Sequence, residues 1–205
     1  MDTGAIEYRE LVGIDDPLLP AWLTLYETAF PACERVLCAS FLRLLQAKAS
    51  GEREHEHLLA ALFERRFAAL GNYVTRPGAR GAYLVYLATV PELRGKGMGA
   101  EMYAEIVRRV RAQDPTSRGI VIEVESPDEP STEDPEMARR RIGFYKRQGA
   151  RVLGGVEYWQ GVPGQRAIRM CVMVHPFVEM SARQGLTFAR AVLGGVRRPG
   201  PLAWE

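Results

Sequence analysis

The stretch YLVYLATVPELRGKGMGAEMYAEIVRRVR, residues 83–111, decides how this chain folds. Residues 83–90 form an uninterrupted apolar and aromatic run of strand length, which is typical of a strand buried on both faces. Pro91 ends this strand because proline cannot donate a backbone hydrogen bond to a neighbouring strand. A glycine-rich turn follows, and the apolar residues after it recur at helical spacing. The stretch therefore predicts a strand, a tight turn and a helix, in that order.

The turn has the composition of a phosphate-binding loop. It consists of Arg94, Gly95, Lys96, Gly97, Met98 and Gly99. Glycines just before a helix let several backbone N–H groups point at one place, and the helix dipole favours an anion there. Because Arg94 and Lys96 add two full positive charges, we interpret the turn as a site for a pyrophosphate.

Two other phosphate-binding motifs compete for this turn. Gly95, Gly97 and Ala100 also satisfy the dinucleotide-binding pattern G-x-G-x-x-A. That pattern begins almost at the end of its strand, whereas here the residues VPELR intervene, and no second alternating βαβ half follows. The Walker pattern fails because Gly97, and not serine or threonine, follows Lys96. A dinucleotide-dependent enzyme therefore stays as the lesser hypothesis.

Composition sets the class of protein and its partners. The chain has 205 residues, 47% hydrophobic and 25% charged, as expected for a globular protein, and its net charge of +2 argues against nucleic acid or a membrane as partner. The start of the chain lacks an apolar leader segment, and no apolar run approaches the ~20 residues of a membrane helix. Cys33, Cys38 and Cys171 make an odd count without metal-ligand spacing, which predicts reduced thiols in the cytoplasm. His55 and His57 are interpreted as surface residues, and no metal site is predicted.

The remaining elements predict one α/β (α+β) domain over residues 1–205. Strands are expected near residues 6–12, 57–63, 67–74, 120–125, 151–160 and 166–175, and helices near 18–30, 34–48 and 135–148. Residues 177–205 are interpreted as a C-terminal helical extension that ends in a flexible tail, RRPGPLAWE.

Two carboxylates stand out on the strand at 120–125. Because side chains alternate along a strand, Glu123 and Glu125 share one face. Solvated charges on an edge strand would explain them. However, a strand that follows a βα unit pairs parallel with the earlier strand, and acidic residues on such a central strand indicate a site.

The turn resembles the acyl-CoA motif R/Q-x-x-G-x-G/A of the GNAT superfamily of N-acetyltransferases. FYKRQGA at residues 144–150 is similar to the second motif of that family, and the order of elements agrees along nearly the whole chain. The resemblance implies a mixed, mostly antiparallel sheet of about six or seven strands flanked by helices, with a splayed parallel strand pair at the acyl-CoA site. It also implies that acetyl-CoA is the co-substrate.

The resemblance further implies roles for individual residues. Backbone groups at residues 94–99 would hold the pyrophosphate, and those of Leu87, Ala88 and Thr89 would pair with the pantetheine arm. Tyr145 matches the family's general acid, and Glu123 and Glu125 are the candidates for a base or for attracting a cationic amine. A non-catalytic acyl-CoA-binding module on the same fold is the alternative. The acceptor amine and the oligomeric state are open, with a homodimer as one option.

Overall fold

The computed structural model describes residues 5–130, 132–161 and 167–205. The strands are β1 (Ile6–Leu11), β2 (Glu56–Phe63), β3 (Arg66–Arg76), β4 (Gly81–Thr89), β5 (Gly119–Glu125), β6 (Arg151–Gly154), β7 (Tyr158–Gln160), β8 (Ile168–Pro176) and β9 (Ala203–Trp204). The helices are α1 (Leu19–Ala29), α2 (Cys38–Ala49), α3 (Met98–Gln113), α4 (Pro135–Arg147) and α5 (Ala182–Leu193). Short 3-10 helices occupy Ala32–Glu34, Pro77–Ala79 and Pro91–Leu93.

The chain divides into two compact units. The first unit contains Met1–Val74 and Val85–Arg109, and the second contains Thr75–Leu84 and Val110–Glu205. Strand β4 and helix α3 each contribute residues to both. The single domain expected from the sequence stays a prediction.

In the first unit, β1, β2, β3 and the end of β4 lie side by side. The β1–β2 and β2–β3 pairs are antiparallel. Helices α1 and α2 bury an aromatic cluster on its strands, and the Trp22 indole donates a hydrogen bond to the carbonyl of Leu59. Helix α3 packs close to Gly71, where an added Cβ would lie 3.0 Å from the side chain of Ile106. The core of this unit consists of Leu11, Leu19, Trp22, Leu25, Tyr26, Phe41, Leu44, Leu45, Leu58, Ala60, Leu70 and Tyr86.

The second unit is organised around β5. The start of β4 pairs parallel with it, from Ala82 opposite Ile120 to Leu84 opposite Ile122, and β8 pairs antiparallel on its other side. Strands β6 and β7 both pair with β8, and β9 pairs with β6. Helix α5 covers one face, with a core made of Val121, Leu153, Val172, Val174, Met180, Leu186, Phe188, Ala189, Val192 and Val196. A mixed, mostly antiparallel α/β fold with one parallel pair is therefore confirmed.

The C-terminal part of the chain differs from its prediction. The expected strand at 151–160 is divided in two, because the chain turns at Gly155, whose φ is +74°. The expected flexible tail instead forms β9, and the Trp204 indole donates a hydrogen bond of 3.1 Å to the carbonyl of Met180. The side chain of Trp204 packs against the core of the second unit, and no local pattern in the sequence of the tail indicates this contact. The sequence also predicts a turn at Gly161, Pro163 and Gly164, of which the last two lie outside the described residues.

The prediction for His57 is wrong. His57 is the second residue of β2, is only 4% exposed, and stacks on the ring of Tyr73. Its Nδ1 atom lies 2.9 Å from Oε1 of Glu10 on the neighbouring strand. His55, two residues earlier, is exposed as expected. The two residues differ because the strand begins between them and buries only the second.

Candidate active site

The turn after β4, in the first unit, has the backbone of an anion-binding loop. The 3-10 helix Pro91–Leu93 leads into it, and α3 begins at Met98. Gly95 and Gly97 have φ values of +74° and +90°, a region that favours glycine. Arg94 to Gly97 are exposed, whereas Met98 is buried and anchors the start of the helix.

The N–H groups of Arg94 and Lys96 donate to the carbonyls of Pro91 and Leu93, so the donors for a ligand come from the start of α3. Ala100 and Glu101 N–H both donate to the carbonyl of Gly97, so the helical hydrogen bonds begin there. The first N–H groups of a helix have no partner within it, and they carry the positive end of its dipole. A Cβ atom added at Gly95 or Gly97 would meet nothing within 4 Å, so the space beside the backbone is open. This arrangement fits a phosphate group.

The predicted pantetheine-binding residues follow directly in the same unit. Leu87, Ala88 and Thr89 end β4 and are half-buried. They lie beyond Leu84, the last residue of β4 in the ladder with β5. The strand is held at its end by Val90, whose N–H donates to the carbonyl of Ala68 at 2.9 Å.

Tyr145 lies near the end of α4 in the second unit. Asp134 caps this helix by accepting a hydrogen bond from the N–H of Met137 at 2.9 Å, and Pro135 follows at its first position. Tyr145 is one of the buried residues of the helix, and burial raises the pKa of its hydroxyl. The charge of Arg141, one helical turn earlier, opposes that rise. The hydroxyl therefore carries its proton at neutral pH.

Glu123 and Glu125 share one face of β5, and both are half-buried. The hydroxyl of Tyr83 donates a hydrogen bond to Oε1 of Glu123. Burial first, and then the charge of Glu123, raise the pKa of the Tyr158 hydroxyl on β7. The hydrogen bond from Tyr83 comes from β4, the strand that pairs with β5.

The sequence interpretation missed Tyr83 and Tyr158. Tyr83 was counted only as part of an apolar strand, although the parallel register places it beside Val121, two residues before Glu123. No sequence signal connects Tyr158 to Glu123, because they are 35 positions apart and their approach depends on β8 between them. The residues predicted to bind the co-substrate lie in the first unit, and the predicted catalytic residues lie in the second.

Comparisons with known proteins identify the family of the chain. Residues 19–150 match the model of the Acetyltransferase (GNAT) family. Similar solved structures include a protein described as an acetyltransferase of the GNAT family from Bacteroides thetaiotaomicron, with a TM-score of 0.67, 23% identity, and coverage of 84% of this chain and 88% of that one. Another is the ribosomal-protein-S18-alanine N-acetyltransferase from Escherichia coli, with a TM-score of 0.57, 16% identity, and coverage of 86% and 96%.

A third similar structure is Arabidopsis thaliana NAA60 in complex with acetyl-CoA. Its TM-score is 0.59 at 15% identity, with 84% of this chain and 99% of that one covered. No curated protein sequence matches the chain. The family match spans more than half of the chain, which therefore belongs to the GNAT acetyltransferase family and is an acyltransferase. The family uses acetyl-CoA.

Two further properties of the described residues bear on partners. In this part of the chain no group of three or more histidine, cysteine, aspartate or glutamate side chains could hold a metal ion. Among the same residues, none of the helices has both the length and the apolar character needed to cross a bilayer.

Proposed function

We propose that this protein transfers the acetyl group of acetyl-CoA directly to a primary amine of a small molecule or peptide. The observation that carries the proposal is the loop at residues 94–99, with two glycines at positive φ before α3, in a chain of the GNAT family. Direct attack needs a nucleophile, a bound acetyl thioester, and a group that donates a proton to the departing thiolate.

The donor side of the reaction is assigned to the first unit. Backbone N–H groups of residues 94–99 would bind the pyrophosphate of acetyl-CoA, and the charges of Arg94 and Lys96 would add to the binding. The backbone of Leu87, Ala88 and Thr89 would pair with the pantetheine arm. An N–H near Leu87 would stabilise the oxyanion that forms when the amine adds to the thioester carbonyl.

The proton transfers are assigned to the second unit. The neutral amine adds to the carbonyl carbon, the C–S bond breaks, and the thiolate of CoA takes a proton from Tyr145. The proton that the new amide nitrogen loses returns to the tyrosinate through solvent. Burial keeps this hydroxyl protonated until the thiolate forms, but a raised pKa also makes Tyr145 a weaker acid, so the charge of Arg141 would have to stabilise the tyrosinate as the proton leaves. Glu123 or Glu125 would attract the ammonium form of the acceptor and accept its proton, directly or through water.

The proposed location is the cytoplasm. Cys38 and Cys171 are both free thiols, as expected in a reducing compartment.

A substitution of Tyr145 tests the proposed mechanism. Tyr145→Phe keeps the buried ring and removes the acidic hydroxyl. We expect kcat to fall by about 10²- to 10⁴-fold, the usual contribution of general acid catalysis, while the Kd for acetyl-CoA changes little. Thiol release over a panel of primary amines gives the rate, and isothermal titration gives the Kd. Tyr8→Phe, on β1 of the first unit, is the matched control.

Two outcomes would contradict the proposal. An unchanged kcat in Tyr145→Phe would remove the general-acid role and leave acetyl transfer itself standing. Tight binding of acetyl-CoA without thiol release on any amine of the panel would instead support a non-catalytic acyl-CoA-binding module.

A further inference from the structure

The segment that joins α1 to α2 is held by two buried tyrosines that lie 60 positions apart in the sequence. The hydroxyl of Tyr26, on α1, donates a hydrogen bond of 3.0 Å to the carbonyl of Val36. The hydroxyl of Tyr86, on β4, donates one of 2.9 Å to the carbonyl of Glu34. All of these residues belong to the first unit. We call residues 30–37 the linker, and the two phenols with their two carbonyls the tyrosine clamp.

The clamp supplies hydrogen-bond donors to a stretch of backbone that has little secondary structure of its own. The linker forms only a short 3-10 turn at Ala32–Glu34, and the chain is extended again at Arg35. Buried carbonyl groups need donors, and here side chains provide them. Tyr26 is fully buried and Tyr86 is 6% exposed, and their hydroxyl oxygens lie 3.3 Å apart. Removing one hydroxyl would therefore leave a buried carbonyl without its donor.

Ring packing fixes where the two hydroxyls point. The rings of Tyr26 and Tyr86 meet edge to face, with their centroids 4.8 Å apart. Phe41 of α2 packs edge-on against Tyr26 at 4.8 Å, and Phe30 of the linker packs against Tyr86 at 4.9 Å. Phenylalanine in place of either tyrosine would keep these aromatic contacts and lose only the hydrogen bond.

The clamp lies directly beside the part of β4 that is proposed to bind the acetyl donor. Tyr86 precedes residues 87–89, which would pair with the pantetheine arm. Because side chains alternate along a strand, Ala88 points to the same face of β4 as Tyr86. Ala88 packs against the apolar cluster that also contacts Phe30 and Val36 of the linker. The linker therefore covers this face of β4, next to the place proposed for the acetyl group.

The donor side has supports that do not involve the clamp. The N–H of Val90 donates to the carbonyl of Ala68 at 2.9 Å, which ties the end of β4 to β3. Helix α3, which follows the loop at residues 94–99, packs closely against β3 at Gly71. Loss of the clamp should therefore release the linker and leave the binding of acetyl-CoA intact.

We propose that Tyr26 and Tyr86 are positioning residues for the acceptor, and that they hold the linker as one wall of the acceptor pocket at the end of β4. The inference rests on the proposed function, because an attacking amine must come within about 3.5 Å of the thioester carbonyl that residues 87–89 would hold. Both phenols act through the backbone of the linker and donate no proton in the reaction. A wall that is fixed in advance lowers the entropy cost of binding, so the clamp should set the KM for the acceptor.

The first test measures the linker itself. Hydrogen exchange is followed by mass spectrometry in wild type, Tyr26→Phe, Tyr86→Phe and the double variant. We expect peptides that cover residues 30–37 to exchange about 5-fold faster in each single variant, and faster still in the double variant, because each substitution removes one hydrogen bond to the linker. Peptides that cover residues 98–109 of α3 should exchange as in wild type.

The second test measures acetyl transfer to the best acceptor of the amine panel. The KM for this amine should rise about 5-fold in each single variant and further in the double variant, while kcat changes less than about 2-fold and the Kd for acetyl-CoA stays constant. A purely structural role would instead reduce the fraction of folded enzyme, which lowers the apparent kcat and leaves the KM unchanged.

Tyr73→Phe is the matched control for both tests. Tyr73 is fully buried in the same unit, and its hydroxyl has no hydrogen-bond partner within the part of the chain that the structure describes. Removing this hydroxyl should change neither the exchange of the linker nor the KM for the acceptor.

The outcomes separate this inference from the proposed function. Unchanged exchange of the linker in the double variant would overturn the inference, and so would faster exchange with an unchanged KM for the acceptor. In both cases acetylation of amines by the wild type leaves the proposed function standing. If the wild type acetylates no amine of the panel, the proposed function fails and the acceptor role fails with it, whereas faster exchange would still show that the phenols hold the linker.

Discussion

Two half-buried glutamates, one in each unit, are stabilised in different ways. In the first unit Oε1 of Glu10 lies 2.6 Å from Nζ of Lys48 and 2.9 Å from Nδ1 of His57, and its Oε2 lies 3.3 Å from Arg109. In the second unit Oε1 of Glu123 accepts a hydrogen bond from the phenol of Tyr83. Glu10 is surrounded by cations, whereas Glu123 has a phenol among its partners.

The cations around Glu10 predict a structural role for this carboxylate, and the proposed function gives Glu123 a role in the reaction. Burial raises the pKa of Glu10, but hydrogen bonds from His57 and Lys48, together with their charges, lower it to about 2. A carboxylate neutralised in this way has little charge left to attract a ligand. Phenols stabilise an anion without cancelling it. We therefore expect Glu10 to contribute to the stability of the first unit and not to ligand binding.

Removing the two charges gives the sharpest test of this comparison. Glu10→Gln leaves Lys48 and Arg109 close together without the shared anion, and should lower the free energy of unfolding by about 2 kcal/mol, less than a fully buried pair would lose. Glu123→Gln keeps an oxygen acceptor for the phenol of Tyr83 and should cost about 0.5 kcal/mol while acetyl transfer falls. Urea denaturation measures the first effect and thiol release the second. Equal destabilisation of the two variants would contradict the distinction.

The pH dependence of stability gives a second test of the role of Glu10. The pKa of Glu10 is about 2 in the folded protein and 4.5 in the reference state, so its stabilising contribution is complete above pH 4.5 and is lost as the pH falls toward 2. The free energy of unfolding should fall with a slope approaching 1.4 kcal/mol per pH unit in that window. Glu10→Gln should lack this part of the slope. If wild type and variant lose stability in parallel, Glu10 is not the responsible group.

A smaller effect is expected for Arg141, whose charge acts on Tyr145 in the second unit. The charge of Arg141 opposes the burial that raises the pKa of Tyr145, so it stabilises the phenolate formed when the proton leaves. Arg141→Ala should lower kcat by roughly 3- to 10-fold, which corresponds to about 1 kcal/mol. Arg140→Ala, its exposed neighbour on α4, is the matched control. A change confined to the KM for acetyl-CoA would assign Arg141 to binding.

The smallest effect is expected at an exposed ion pair of the same helix. Arg139 lies 2.8 Å from Glu136 and 4.0 Å from Asp128, and all three side chains are more than half exposed. Solvent screens such pairs, so Arg139→Ala should change the free energy of unfolding by less than about 0.5 kcal/mol. Thermal and urea unfolding measure it. A loss as large as that of Glu10→Gln would show that burial does not decide the strength of these pairs.

The sequence predicted the segments whose structure depends on near neighbours. Strand β4, the turn after Pro91 and helix α3 follow from an apolar run, a proline and closely spaced glycines. The cap at Asp134 and the start of α4 at Pro135 were equally local. The predictions for His57 and for the tail were wrong because the burial of both depends on residues far away in the chain. His57 contacts Glu10 and Tyr73, and the tail contacts Met180.

The same distinction between local sequence and distant contacts applies to the candidate site. The spacing of Gly95 and Gly97 before a helix indicates a phosphate-binding loop in sequence alone, because a single turn of backbone makes it. Alternation along β5 placed Glu123 and Glu125 on one face, but it could not distinguish them. Only the register of β4 on β5 brings Tyr83 to Glu123, since strand pairing joins residues that no local pattern connects.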